Sequence, residues 1–344
     1  MLYPLSPLQH GMLSHALRSP RDGINIEQTT VHVCEELDVP AFEEAWRRVI
    51  ARHDVLRTAF CWKDQPEPMQ RVHASVEVAL HFEDWRALGD DARPQKYEAF
   101  LESDRARGFD LAVAPLMRTA LLRFGEREYQ FVWTFHHAVL DGRAFVMVMR
   151  EFWAIYDAIL RGGDPALPPA PQYRDFIEWL GKRDHSVSEK FWREALKGFP
   201  AANVIDLPRR AAEHPAHHEH ARSLSREATA ALATAASAHG VSVNTLVQAA
   251  WALLLSRYSR EEDVVFGSVR ACRHFGIRDA KKMAGLFINT LPMRAVITPD
   301  LPLGDLLKGL RSLQRAQRDH EQTPQFEIQR WSGVAPLFRS VVIF

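Results

Sequence analysis

The chain is poor in cysteine, and it has no excess of either charge, no fixed-period repeat and no long apolar run. Three cysteines, Cys34, Cys61 and Cys272, stand far apart in 344 residues with no CxxC spacing. An odd, sparse count fits a reducing compartment with free thiols and offers no zinc-ribbon framework. Lysine plus arginine equals aspartate plus glutamate at 43 each, so the formal net charge is zero. A general nucleic-acid binder would carry a basic excess. The longest apolar run, Ala249 to Leu255, is far too short to cross a bilayer. The opening residues Met1 to Leu5 lack the basic start and apolar stretch of a signal peptide. Neither GxxxxGKS/T nor GxGxxG occurs at a strand–helix turn, which gives no support to an ATP-using synthetase. The expectation is a soluble, cytoplasmic chain with no nucleic-acid or membrane partner.

Apolar residues make up 47% of the chain and charged residues 25%, as in ordinary globular proteins. The length suggests two domains or lobes. Leu8, Met12 and Leu13 suggest a short first helix, and loose alternation around Val31 and Val33 suggests a strand over 27–37. Phe42, Ala45, Trp46 and Val49 recur at helical spacing, and Val55 to Trp62 reads as a strand. Two apolar runs over 117–135, parted by Gly125-Glu126-Arg127, read as a hairpin. In its second arm Tyr129, Phe131, Trp133 and Phe135 share one face. A helix through Phe145, Val148, Met149, Phe152, Tyr156 and Ile159 follows Asp141-Gly142.

A proline-rich connector over 162–171 then predicts a break between lobes. Beyond it the spacing predicts helices over 173–183, 186–197, 225–239, 242–258 and 303–320. Strands are expected over 263–269, 291–297 and at the final Val341 to Phe344. The stripe Trp251, Leu254, Leu255, Tyr258 reads as core. The fold class is α/β (α+β), with lobes at 1–172 and 173–344. The final strand stops on its last apolar residue, which suggests a truncated second lobe.

The most informative segment is His136-His137-Ala138-Val139-Leu140-Asp141-Gly142. Neighbouring side chains on a strand point to opposite faces, so the two histidines should have different roles, one in a cleft and one packed inward. Asp141 could fold back on a histidine or hold an arginine, and Gly142 is expected to permit the sharp turn. By residue type alone, two histidines at a strand end are as readily satisfied core or surface residues. A metal site would need both histidines on one ion, which their divergence disfavours. A second cluster, His214, His217, His218 and His220 with Glu213 and Glu219, is interrupted by Pro215 and reads as a solvated connector.

The pattern HHxxxDG resembles the signature of the condensation domains of nonribosomal peptide synthetases and their acyltransferase relatives. Companions occur in the right order. Leu5 to Leu13 is similar to the family's first motif, and Arg52 to Phe60 closely matches its second. Tyr173 to Trp179 resembles the fourth motif, Gly285 to Arg294 the fifth, and His320 to Glu327 more loosely the last.

The resemblance implies two chloramphenicol-acetyltransferase-like lobes forming a V with a central tunnel. It implies upstream and downstream carrier proteins as partners, each supplying phosphopantetheine, with an adenylation domain adjacent and no cofactor or metal bound by the chain itself. The expected reaction joins a donor acyl or peptidyl thioester to the amine of an acceptor aminoacyl thioester. His137 is the implied catalytic histidine, with His136 beside it and the Gly142 backbone N–H available to an oxyanion. Asp141 is implied to be structural, with Arg294 as its partner across the lobes. Arg57 is implied to be a structural arginine near the first helix, and Asn289, within the fifth motif, is implied to be structural and loop-supporting.

Asn289-Thr290-Leu291 also argues against an epimerisation domain, and the intact His136-His137 against heterocyclisation. Two other readings stay open at this point. One is a freestanding acyltransferase with a coenzyme A or acyl-carrier donor and a soluble amine or alcohol. The other is a non-catalytic scaffold fragment, prompted by the stop at Phe344 where the family continues through a bridging segment.

Overall fold

The computed structural model describes residues 1–19, 23–205, 220–273, 276–277 and 279–344. The chain divides into two compact units, Met1–Arg183 with Arg273–Phe287, and Asp184–Cys272 with Ile288–Phe344. This differs from a single cut after residue 172. Tyr173, Phe176 and Ile177 are buried in the first unit's core together with Met283, Ala284 and Phe287, and that burial keeps both segments with the first unit.

The first unit runs β1 (Leu2–Pro4), α1 (Pro7–Arg18), β2 (Ile26–Val33), α2 (Val39–Arg52), β3 (Thr58–Cys61) and β4 (Met69–Val72). It continues with β5 (Leu80–Asp84), α3 (Ala92–Arg107), β6 (Met117–Gly125), β7 (Glu128–His136), α4 (Gly142–Leu160) and α5 (Tyr173–Gly181). Its larger sheet has the order β2-β7-β6-β5, with only the β5–β6 pair parallel. Its smaller sheet has the order β1-β4-β3 and is antiparallel.

The period-two pattern of β7 decides which face is covered. Tyr129, Phe131, Trp133 and Phe135 are buried on the core side. They meet the apolar stripes of α2 and α4, with Trp46–Trp133 at 4.8 Å and Phe42–Phe152 at 4.7 Å between ring centroids, both edge-on. Such edge-to-face pairs add roughly 0.5–1.5 kcal/mol each beyond their buried area. On the other face Thr134 and Gln28 donate to Asp104 of α3, at 2.5 and 3.0 Å, and Arg118 joins it at 2.6 Å. A cavity of about 650 Å³ lies beside this cluster, lined by Phe100, Asp104, Arg118 and Val132 among others. Because α3 buries only Asp104, it carries no apolar stripe and left no periodic signal.

The expected strand from Val55 begins three residues late, because Asp54–Arg57 forms a 3₁₀ turn. Arg57 holds that turn. Its guanidinium donates to Ile50 O and Ala51 O at the C-terminal end of α2, to His73 O and Ala74 O, and to Asp54. The helix whose end it meets is the second and not the first.

The second unit contains α6 (Ser186–Ala195), α7 (Arg226–Ala238), α8 (Val243–Ser259) and β8 (Asp263–Arg270). After the return to the first unit come β9 (Asn289–Val296), α9 (Leu303–Ala316), α10 (Gln325–Ser332) and β10 (Val341–Val342). Its sheet has the order β10-β8-β9, with β10 parallel to β8. The core face of α8 runs through Thr245, Gln248, Ala249, Ala252 and Leu255. Leu254 and Tyr258 are exposed, which corrects the reading of the whole Trp251–Tyr258 stripe as core. The helix expected to reach His320 tightens into a 3₁₀ turn over Gln317–His320.

Among the described residues no single helix is long and apolar enough to cross a membrane. Of the second histidine cluster, His214, His217 and His218 with Glu213 and Glu219 lie outside the described residues. His220 is exposed and accepts from Arg222 Nε at 3.0 Å.

Candidate active site

The last residue of β7 is His136, and its side chain is buried. Its Nδ1 accepts the Ala138 backbone N–H at 3.2 Å, so the ring's own proton sits on Nε2. Burial, reinforced by His137 alongside, pulls His136 down to about 4, and the ring is neutral at physiological pH.

His137 leaves the strand. Its backbone N–H donates to Asn25 O at 2.8 Å, and its side chain is 23% exposed. Nδ1 lies 2.7 Å from Leu140 O. A carbonyl only accepts, so Nδ1 carries a proton, and in the neutral ring Nε2 presents a lone pair. The adjacent histidines therefore differ in surroundings, His136 buried and His137 partly exposed, and in which ring nitrogen carries the proton.

Asp141 ends the turn and caps α4. Its Oδ1 accepts from Ala144 N at 2.8 Å, and its backbone N–H donates to Gly285 O at 3.2 Å. The carboxylate also accepts from Phe287 N at 3.0 Å and from Arg273 Nη2 at 2.8 and 2.9 Å. Arg273 in turn donates Nη1 to Ala280 O and Met283 O at 3.1 and 2.7 Å, with its guanidinium 4.0 Å from the Phe287 ring centre. Arg273, then, is the partner that Arg294 was expected to be. Arg294 instead pairs with Asp263 at 2.7 Å and donates to Ala195 O and Lys197 O, all in the second unit. No spacing rule separates Arg273 from its neighbours Arg270, Arg278 and Arg294. What selects it is the return of Arg273–Phe287 to the first unit, a tertiary fact.

Gly142 is the first residue of α4, its φ lies outside the left-handed region, and a Cβ there would meet open space. The turn does not use glycine's freedom, contrary to the expectation. Its backbone N–H belongs to the first turn of α4, where N–H groups have no intrahelical partner. Gly285 is the glycine that geometry demands. Its φ is +149°, and an added Cβ would fall 2.2 Å from the Tyr173 ring.

A further support comes from the first motif, at Gln9. Gln9 closes a capping box with Ser6 at the start of α1. Its Nε2 donates to Ala138 O at 3.0 Å, tying α1 to the histidine turn. Asn289 is placed in the second unit, where Nδ2 bridges Glu321 O and Thr323 O at 2.9 and 2.8 Å. His136, His137, Asp141 and Gly142 thus share one strand–turn–helix, while Arg57, Asn289 and Arg294 support structure elsewhere.

The segment thus presents a histidine with Nδ1 held by Leu140 O and Nε2 partly exposed, on a turn joined to a buried ion pair. Comparison with known proteins narrows this. The condensation-domain family model matches residues 1–344, and the chain belongs to that family. Condensation domains are acyltransferase-type enzymes that form amide bonds in nonribosomal peptide synthesis.

Similar curated proteins include linear gramicidin synthase subunits C and D of Brevibacillus parabrevis, 41% and 40% identical over the whole chain. Surfactin synthase subunit 3 of Bacillus subtilis (strain 168) is 32% identical over the same extent. The chain spans 4%, 7% and 27% of the lengths of these three proteins. Among solved structures, the first condensation domain of the calcium-dependent antibiotic synthetase matches with a TM-score of 0.82 at 20% identity, covering 100% of this chain and 80% of that one. The starter condensation domain of rhizomide synthetase, solved with C8-CoA, gives 0.83 at 23% identity, covering 100% and 78%. These likenesses agree with the mixed α/β fold.

Proposed function

We propose that this chain joins a donor acyl or peptidyl thioester to the amine of an acceptor aminoacyl thioester, releasing the donor thiol. In this reading both substrates ride on phosphopantetheine arms of upstream and downstream carrier proteins, beside an adenylation domain. The chain itself supplies side chains and backbone but no cofactor. A cytoplasmic setting belongs to the same reading, and none of the three cysteines is in a disulfide.

The observation that carries the proposal is the fixed tautomer of His137, with Nδ1–H donated to Leu140 O and Nε2 left as the partly exposed acceptor. An amine attacking a thioester must shed a proton as the C–N bond forms, and Nε2 is suited to receive it. His136, neutral beside it, adds no positive charge to oppose that transfer. The first-turn N–H of Gly142 is the group we assign to the developing oxyanion. Asp141 acts at one remove, by holding the turn and capping α4.

The test is single-turnover transfer between two loaded carrier proteins, read as the intact mass of the acceptor carrier. Wild-type protein should add the donor acyl mass, and His137→Ala should slow that gain by about 10²–10⁴-fold, the usual contribution of positioned acid–base catalysis. Equal rates in the two proteins would remove His137 from the chemistry. No mass gain in well-folded wild type, across donors and acceptors, would overturn the condensation reading.

A further inference from the structure

Glu27 stands on β2, directly opposite Phe135 of β7 in the antiparallel register. His137 follows the last residue of β7, and its backbone N–H donates to Asn25 O just before β2, which brings its side chain beside Glu27. Glu27 Oε1 lies 4.0 Å from His137 Nε2, and both side chains reach solvent, at 48% and 23% exposure. That separation is too long for a direct hydrogen bond. It suits a third polar atom placed about 2.8–3.0 Å from each of them. The carboxylate is not orienting the imidazole, because Leu140 O already fixes the ring through the opposite nitrogen. Glu27 therefore faces whatever meets the working nitrogen.

We infer that Glu27 and His137 together bind the protonated amine of the acceptor, with Glu27 recognising its charge. The inference rests on the condensation reading above. A free α-amino group has a pKa of about 8, so much of the acceptor is an ammonium near neutral pH. An ammonium offers several N–H donors, enough to reach Oε1 and Nε2 at once, whereas a neutral hydroxyl offers one.

The proton accounting closes. The ammonium held between Glu27 and His137 loses its first proton to solvent, and the neutral amine then attacks the thioester carbonyl. As the C–N bond forms, the second proton moves to His137 Nε2. Collapse of the tetrahedral intermediate breaks the C–S bond, and the imidazolium returns that proton to the departing sulfur. The products are amide, thiol and one solvent proton, with both side chains restored.

Two measurements test this on the full chain. In the first, glycyl and glycolyl amides of aminopantetheine, unreactive analogues that differ only in ammonium against hydroxyl, are titrated calorimetrically into wild type, Glu27→Gln and Glu27→Asp. Wild type should prefer the glycyl analogue by about ten- to a hundredfold, the range for one hydrogen bond to a charged group. Glu27→Gln should lose that preference while melting like wild type, and Glu27→Asp should recover part of it. A wild type that does not discriminate, or a Glu27→Gln that still does, overturns the proposal.

In the second, transfer kinetics with aminoacyl carrier should show a raised acceptor KM in Glu27→Gln and an unchanged donor KM. An equal rise for both substrates would mark a merely structural effect and sink the idea. Selective binding without amide formation in wild type would instead count against the condensation reading and leave the cation site standing.

Discussion

Arg273 and Asp141 meet at 2.8 Å with side chains 2% and 1% exposed, whereas Arg294 and Asp263 meet at 2.7 Å with side chains 20% and 30% exposed. Nearly equal bond lengths conceal different physics. Burial pulls the Arg273 guanidinium below its ordinary value, with Asp141 opposing the shift. For Arg294 the hydrogen bonds to Asp263 dominate and hold it above its ordinary value. Desolvation governs the first pair and attraction the second. A buried pair adds little net stability over an apolar replacement, yet losing one member strands a charge. The first pair also fixes the turn that carries His137. Its value is therefore positional, and it is the place where a one-atom change should do most damage.

Asp141→Asn is the sharpest way to test that contrast. It keeps the side chain's shape and an acceptor for Ala144 N, but it leaves Arg273 buried without a counter-charge. We expect a loss of about 3–5 kcal/mol in chemical denaturation, with activity falling alongside folded yield. Adding Arg273→Met should restore part of the stability, as a coupled pair requires. A stable but inactive Asp141→Asn would break the comparison and move Asp141 from support to chemistry.

The next effect is a pH dependence next to that turn. His136 is held at about 4, below its usual 6.5, so below pH 6.5 the unfolded chain takes up a proton that the folded one refuses. Its stabilising contribution is complete above pH 6.5 and is lost as pH falls toward 4, about 3 kcal/mol in all. His136→Gln, which cannot titrate, should lose correspondingly less stability than wild type over that window in parallel denaturation curves. Identical pH slopes would mean that His136 is not the buried neutral group described.

The contrast between the pairs also marks what could be read from the sequence. Period-two spacing in β7 and helical spacing in α2 and α4 exposed the first unit's core, because burial on one face writes a pattern into the chain. The different burial of His136 and His137 agrees with the expectation that one packs inward and the other does not. Polar α3 wrote no such pattern. The excursion of Arg273–Phe287 into the first unit was equally hidden, since it depends on Met283, Ala284 and Phe287 joining a core built by residues far earlier in the chain. Motif order led to Arg294 as the partner of Asp141, while the partner lay 21 positions upstream at Arg273. Ion pairing leaves no periodicity, so the residues alone left Asp141 a histidine or an arginine, and the resemblance pointed to a different arginine from the one that meets it.

Arg294→Met should be the mildest change. It removes a partly exposed ion pair, generally worth about 0–1 kcal/mol, and the donors to Ala195 O and Lys197 O at the end of α6. Those carbonyls have solvent as an alternative partner, since the Lys197 contact is itself exposed. The methionine stem keeps most of the packing along β9. A loss of about 1 kcal/mol is expected, shrinking further in high salt because screening already weakens the pair. If Arg294→Met matched Asp141→Asn in cost, exposure would not be what separates the two pairs. A cost that falls with salt while that of Asp141→Asn stays constant would instead confirm that one pair is read by solvent and the other by the protein interior.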